Sequence, residues 1–109
     1  MKLPYNTVIS DRPAEGGCMH EGADFGIGWR VFQPGEAFPA HHHTSFEEVF
    51  VGLSGELTVV IDGSAETLSL GDRVVVERGR VHSLANTGSE PAEISYLKIP
   101  FVADDTVWD

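Results

Sequence analysis

The chain has 109 residues, 17 of them acidic and 7 basic, for a formal net charge of −10. At 41% hydrophobic and 22% charged, it has the composition of one globular domain, 1–109, with a modest core and little room for a second. The acidity argues against nucleic acid and anionic membrane surfaces as partners, because both are held through an excess of Lys and Arg. One cysteine, Cys18, rules out an internal disulfide framework. No apolar run approaches the length of a membrane span. The opening MKLPYNTVIS has no apolar core, so no secretory leader is expected and the expected compartment is a reducing cytoplasm.

Residues 1–20 and 101–109 are expected as terminal arms, either edge strands or tails, the second carrying Trp108. Residues 25–32 (FGIGWRVF) read as a strand, ended by Pro34-Gly35. Residues 46–53 (FEEVFVGL) and 56–61 (ELTVVI) are aromatic and β-branched strands parted by Ser54-Gly55. Asp62-Gly63 reads as a tight hairpin turn. Residues 65–70 alternate polar and apolar, Gly71-Asp72 turns, and 73–77 extends again. Arg78-Gly79 breaks that strand, 81–85 extends, and 87–90 turns. Residues 92–99 (AEISYLKI) form the last clear strand, stopped by Pro100. No window sustains a helical period over ten residues. Strands recurring every 8–12 residues indicate an all-β sandwich or barrel.

Three of the five histidines are consecutive, His41, His42 and His43. On an extended strand, positions two apart share a face, so His41 and His43 project together and His42 points away into solvent. Glu48 follows at an odd offset, and a bend at Thr44-Ser45 can return it to the same side. Closure of the sheet into a barrel can bring His82 beside the pair. Imidazole and carboxylate are the usual donors for a divalent transition metal. Three His and one Glu fill four positions of an octahedron and leave two open. A closed zinc site more often recruits thiolates, and only one is available here.

The stretch Gly35, His41, His43, Glu48, Gly55 resembles the first cupin motif at all five fixed positions. The stretch Gly71, Gly79, His82, Asn86 resembles the second at four of five, with Glu77 where the family has proline, a change expected to loosen a turn. The two motifs span residues 35–86, about half the chain. The resemblance implies a small antiparallel β-barrel of jelly-roll, double-stranded β-helix type. It also implies His41, His43, Glu48 and His82 as ligands of one divalent transition metal, whether Fe, Mn, Zn, Ni or Cu. It does not single out one reaction, because the family holds dioxygenases, isomerases, decarboxylases, lyases, binding modules and metal-free structural proteins.

Glu47 is expected to be solvated beside Glu48, and His20 to lie on the surface. Trp29, Phe32, Phe38, Phe46 and Phe50 are expected mostly in the core. Phe50 shares the face of Glu48 and is a candidate for a pocket mouth. Arg30 is a candidate for a substrate carboxylate, set against a surface salt bridge. Tyr96 is a candidate general acid, set against a half-buried structural tyrosine. Asn86 is set between a role behind the metal ligands and a turn cap. Cys18 has no histidine placed beside it and is expected to be an inert thiol.

The leading functional expectation is a metal-dependent enzyme acting on a small oxygenated molecule, as a dioxygenase or as an isomerase or lyase. The alternatives are a non-catalytic module binding metal and a small molecule, and a metal-free barrel. Val49, Val51, Val59 and Val60 place apolar side chains on both faces of their strands, more than one interior uses. A homodimer is therefore expected.

Overall fold

Along residues 47–53 every second position is buried, with Glu48, Phe50 and Gly52 inside and their neighbours partly exposed. A period of two marks a strand with one face on a core. The computed structural model describes residues 16–22 and 24–109, and it is built of strands throughout. In chain order they are β1 (Gly16–Glu21), β2 (Gly26–Phe32), β3 (Ala37–His42), β4 (Glu47–Ser54) and β5 (Leu57–Ile61), then β6 (Ser64–Leu68), β7 (Arg73–Val76), β8 (His82–Ala85), β9 (Ala92–Ile99) and β10 (Val107–Trp108). Residues 1–15 of the expected N-terminal arm lie outside the described residues. The rest of that arm is edge strand β1, and the C-terminal arm ends in edge strand β10.

All pairings are antiparallel. They form two five-stranded sheets, ordered β1-β2-β9-β4-β7 and β10-β3-β8-β5-β6. From β2 onward the chain passes back and forth between the sheets, and only the β5–β6 hairpin stays within one. That winding is the expected all-β jelly roll. One detail of the expectation is corrected: the sheets face each other without joining into one hydrogen-bonded cylinder. The edge strands β7 and β10, four and two residues long, offer little ladder for closure.

Local chemistry explains most boundaries. Asp62 and Gly63 both have positive φ, 48° and 83°, the pair of values a two-residue type I′ hairpin requires. Gly52 lies so close to the Ser69 carbonyl that any Cβ would overlap it, which lets β4 cross the 69–72 turn. Strand β3 is not found by reading apolar runs, because AFPAHH has no β-branched residue and contains Pro39.

The space between the sheets is filled by Phe32, Phe50, Leu57, Val59, Leu68, Val76, Leu84, Ala92 and Ile94. Burying each large apolar side chain contributes about 1.5–3 kcal/mol. Their sum exceeds the several kcal/mol per charge that a buried ionic group costs, so the fold can carry a polar cluster at one end of its core. Trp29, Phe46 and Phe50 are buried as expected, and Phe38 is partly exposed.

Candidate metal centre

His41 and His82 are direct partners across the β3–β8 ladder. Neighbouring strands therefore bring His82 to the pair, with no need for a closed barrel. His43 lies one residue past the end of β3, and the bend at Thr44 and Ser45 leads into β4 on the opposite sheet. That bend returns Glu48 to the histidines. All four side chains are buried, 1–5% exposed, and one donor atom from each lies within 4.8 Å of all the others. The Glu48 carboxylate Oε1 is 3.1 Å from His43 Nε2 and 3.3 Å from His82 Nε2.

The hydrogen bonds behind the rings decide what this cluster can hold. The Nδ1 of His41 donates to the Pro39 carbonyl at 2.8 Å, that of His43 to the Asp105 carbonyl at 2.8 Å, and that of His82 to the Arg80 carbonyl at 3.1 Å. A carbonyl only accepts, so each Nδ1 carries the proton and each neutral ring keeps its lone pair on Nε2. Three lone pairs and a carboxylate then share one buried volume. A cation among them is the arrangement that satisfies all four, and backbone carbonyls behind the rings are the usual outer support of histidine ligands. Donors around a metal at about 2.1 Å span at most about 4.2 Å, so the cluster has to contract only slightly.

The electrostatics agree. Burial pushes His41 down to about 4, against the opposing pull of the Pro39 carbonyl. Burial alone would push Glu48 up. With no cation in the cluster, protons on Nε2 of His43 and His82 would take its place, and their hydrogen bonds to Glu48, with Lys98 adding its charge, outweigh burial and hold the carboxyl at about 2. At neutral pH both groups are already in the deprotonated, ligating form.

Beside the cluster opens a cavity of about 130 Å³. His41, His43 and Glu48 line it, and apolar walls come from Phe32, Phe50, Leu84 and Ile94. Phe38, Arg30, Tyr96, Lys98 and Thr106 complete the lining. Phe50 lines the cavity, as a buried wall rather than at its mouth. Tyr96 is half-buried and borders the cavity. The surface salt bridge for Arg30 is not found among the described residues. Its guanidinium lies 4.3 Å from the Phe32 ring centre and 4.9 Å from that of Phe38. The register of β9 turns it inward: Arg30 pairs with Ile94, whose side chain is buried.

Other expectations are corrected. His42 does point away from the cluster, but its Nδ1 donates to the Asp109 carboxylate at 2.8 Å and is only partly exposed. Asn86 takes the turn-cap alternative of the two expected for it. Its Nδ2 donates to the Phe32 and Glu90 carbonyls, each at 2.8 Å, and its Oδ1 accepts from Gly88 N–H. At the turn where Glu77 stands for the motif proline, the Glu77 carbonyl accepts from Arg80 N–H at 3.2 Å. Glu47 is half-buried rather than fully solvated, while His20 is exposed as expected. Cys18 sits on β1, and its side chain is outside the described set.

Sequence reasoning missed two contributors. Lys98 is the register partner of Glu48 across β4–β9; the parity of residues 92–99 could have pointed to it only with that register known. The C-terminal segment supplies Thr106 to the cavity and the Asp105 carbonyl to His43. Asp105 fastens it by accepting from Thr44 N–H, Thr44 Oγ1 and Ser45 N–H at 3.1, 2.6 and 2.7 Å.

The chain is similar to known proteins over this same region. Germin-like protein 5-1 of Oryza sativa subsp. japonica is 40% identical over 68 residues, 56% of this chain and 30% of the rice protein. The chain thus spans 30% of that curated relative's length. The structure resembles that of a conserved Klebsiella pneumoniae protein with a double-stranded β-helix domain. The TM-score is 0.77 at 21% identity, over 92% of this chain and 89% of that one. A sugar phosphate isomerase of the cupin superfamily from Silicibacter pomeroyi superposes at TM-score 0.66 and 22% identity, over 72% of this chain and 52% of that one. The family model "Cupin domain" matches residues 28–99, a span that takes in strands from β2 to β9 and all four converging side chains. By that match the chain belongs to the cupin family.

Proposed function

We propose that the chain is a metal-dependent cupin enzyme acting on a small oxygenated organic molecule by proton transfer beside a carbonyl, as an isomerase or lyase. The observation that carries this reading is the set of three Nε2 lone pairs converging on Glu48 at the edge of a cavity that also holds Tyr96 and Lys98. His41, His43, Glu48 and His82 would hold one divalent ion, of Fe, Mn, Zn, Ni or Cu. A bound divalent ion supplies Lewis-acid polarisation of a carbonyl or hydroxyl oxygen. Glu48 contributes the one negative charge of the donor set. Tyr96 and Lys98 lie on the interior row of β9, where a hydroxyl and an ammonium can carry a proton to or from the substrate. Phe50, Leu84 and Ile94 keep the walls apolar and limit water.

The donor set itself favours a second reading, an Fe(II) dioxygenase, since three His and one carboxylate with open positions suit iron and O₂. Metal-loaded protein would be incubated with hydroxy- and oxo-compounds in D₂O, with and without air. Deuterium incorporation without O₂ uptake is the expected result. Stoichiometric O₂ uptake establishes the oxygenase instead, and tight binding without turnover leaves a binding module. The proposal includes a homodimer, supported by the outward-facing Val49 and by Val75, its partner across β4–β7, which is 55% exposed. Light scattering at micromolar concentration is expected to give twice 11.8 kDa, and a mass of 11.8 kDa overturns the dimer.

A further inference from the structure

In a chain of net charge −10 with only seven Lys and Arg, two of the seven line the same small cavity. They are Arg30 and Lys98, and among the described residues the only acidic side chain lining it is Glu48. Glu48 is committed to the histidines. A divalent ion on those residues would make the cavity strongly positive inside an acidic protein. Such local inversion focuses the field on an anion and speeds its capture.

Among the described residues no ion pair to Arg30 is found. Its surroundings are the faces of Phe32 and Phe38 and the cavity. Aromatic faces hold a guanidinium in place while leaving its N–H edge free for a planar acceptor, and a carboxylate fits that fork with two hydrogen bonds. The guanidinium lies 4.9 Å from Phe38, and Phe38 lies 4.8 Å from His41, so less than about 10 Å separates it from the ligand cluster. Lys98 Nζ lies 5.3 Å from Phe46, which stacks on His43 at 4.2 Å. A cavity near 150 Å³ holds a benzene-sized body, so about 130 Å³ admits roughly six heavy atoms.

We infer that the natural ligand is a small organic acid of about three to four carbons. Its carboxylate is held by the Arg30 guanidinium, and a hydroxyl or carbonyl oxygen at its other end is turned toward His41, His43, Glu48 and His82. Lys98 adds positive charge along the path. This deepens the functional reading above and rests on it for the orientation of the oxygen, but the anion contact is a property of Arg30 alone.

The test is calorimetric titration of lactate, pyruvate and 3-hydroxybutyrate, each beside its methyl ester, into metal-loaded and chelator-stripped protein. At least one acid is expected to bind, with its ester weaker by at least tenfold. Arg30→Gln is expected to weaken that acid by about 10- to 100-fold, the range of a lost charge-assisted hydrogen bond, and Arg30→Lys by less. Melting temperature and metal content of both variants serve as folding controls, and Arg30→Met, which keeps the packing on Phe32 and Phe38, is the second removal of the charge. Esters binding as well as acids, or acid affinity unchanged in Arg30→Gln and Arg30→Met, overturns the inference. Absence of acid binding in both protein forms also overturns it. If the protein takes up no metal, the functional reading fails, and acid binding by stripped protein still decides the role of Arg30.

Discussion

His41 and His82 stand opposite each other in the β3–β8 ladder, with ring centres 4.1 Å apart. Cross-strand neighbours are held by the sheet's own hydrogen bonds, so this half of the centre is organised before any loop closes over it. Two protonated rings at that spacing would repel by about 4 kcal/mol at an effective dielectric near 20. Burial already keeps His41 neutral to about pH 4. The ladder thus sets two lone-pair nitrogens side by side, and a metal ion relieves what protons cannot.

Metal removal should therefore cost stability. A ligand at 100 times its Kd, bound by the folded state alone, stabilises by about 2.7 kcal/mol. In a chain of this size each kcal/mol moves Tm by about 4–8 °C. Calorimetry with and without a strong chelator is expected to show a drop of roughly 10–20 °C. Equal melting temperatures would mean that no ion is held.

The carbonyl behind His43 belongs to Asp105, 62 residues away, and the Asp105 side chain is what fastens that segment to Thr44 and Ser45. Asp105→Ala is expected to weaken metal binding by about 10- to 100-fold, the usual effect of losing a partner behind a histidine ligand. Competition against a chromophoric chelator measures it. Asp105→Asn, which keeps an acceptor oxygen, should lose less.

How much of this was legible in the sequence follows from what is local. Asp62-Gly63 announced its hairpin because its backbone angles are set by two residues. The motif spacings singled out His41, His43, Glu48 and His82, and parity plus a bend sufficed to turn Glu48 inward. Relationships set by register were not legible. Lys98 joins the cavity because β9 pairs with β4 in one alignment, and residues 92–99 carry no mark of it. His42 meets Asp109 across 67 positions, and Asn86 reaches the Phe32 carbonyl across 54. Strand β3 was invisible as an apolar run because it has no β-branched residue and carries Pro39.

Gly28 shows how backbone shapes the cavity. A Cβ there would overlap the Tyr96 ring, which lies over β2 only because position 28 is bare. Gly28→Ala is expected to push Tyr96 aside while leaving the four donors in place. Turnover or ligand affinity should fall at least tenfold with metal content unchanged. Equal loss of metal would show that the change had disturbed the whole sheet.

The Asp62–Arg80 pair, 2.7 Å between Oδ2 and Nε, ties the β5–β6 hairpin to the turn that presents the Arg80 carbonyl to His82. The Arg80 hydrogen bond holds the Asp62 carboxyl below its ordinary value of 3.8. A depressed folded value means that the contribution is fully present above the unfolded value and is lost as pH falls through the folded one. Urea midpoints of wild type and Asp62→Asn should differ at pH 7, and the gap should narrow as pH falls below 3.8, with a smaller gap in high salt. A gap that does not change with pH or salt would assign the effect to the turn rather than to the charge.

The most direct test of the centre is elemental analysis of protein purified without added metal or chelator, alongside His82→Ala. One equivalent of a divalent transition metal in the wild type, and a small fraction of that in the variant, is the expected result. A metal-free wild type that also fails to take up Fe, Mn, Zn, Ni or Cu on titration would contradict the metal centre outright.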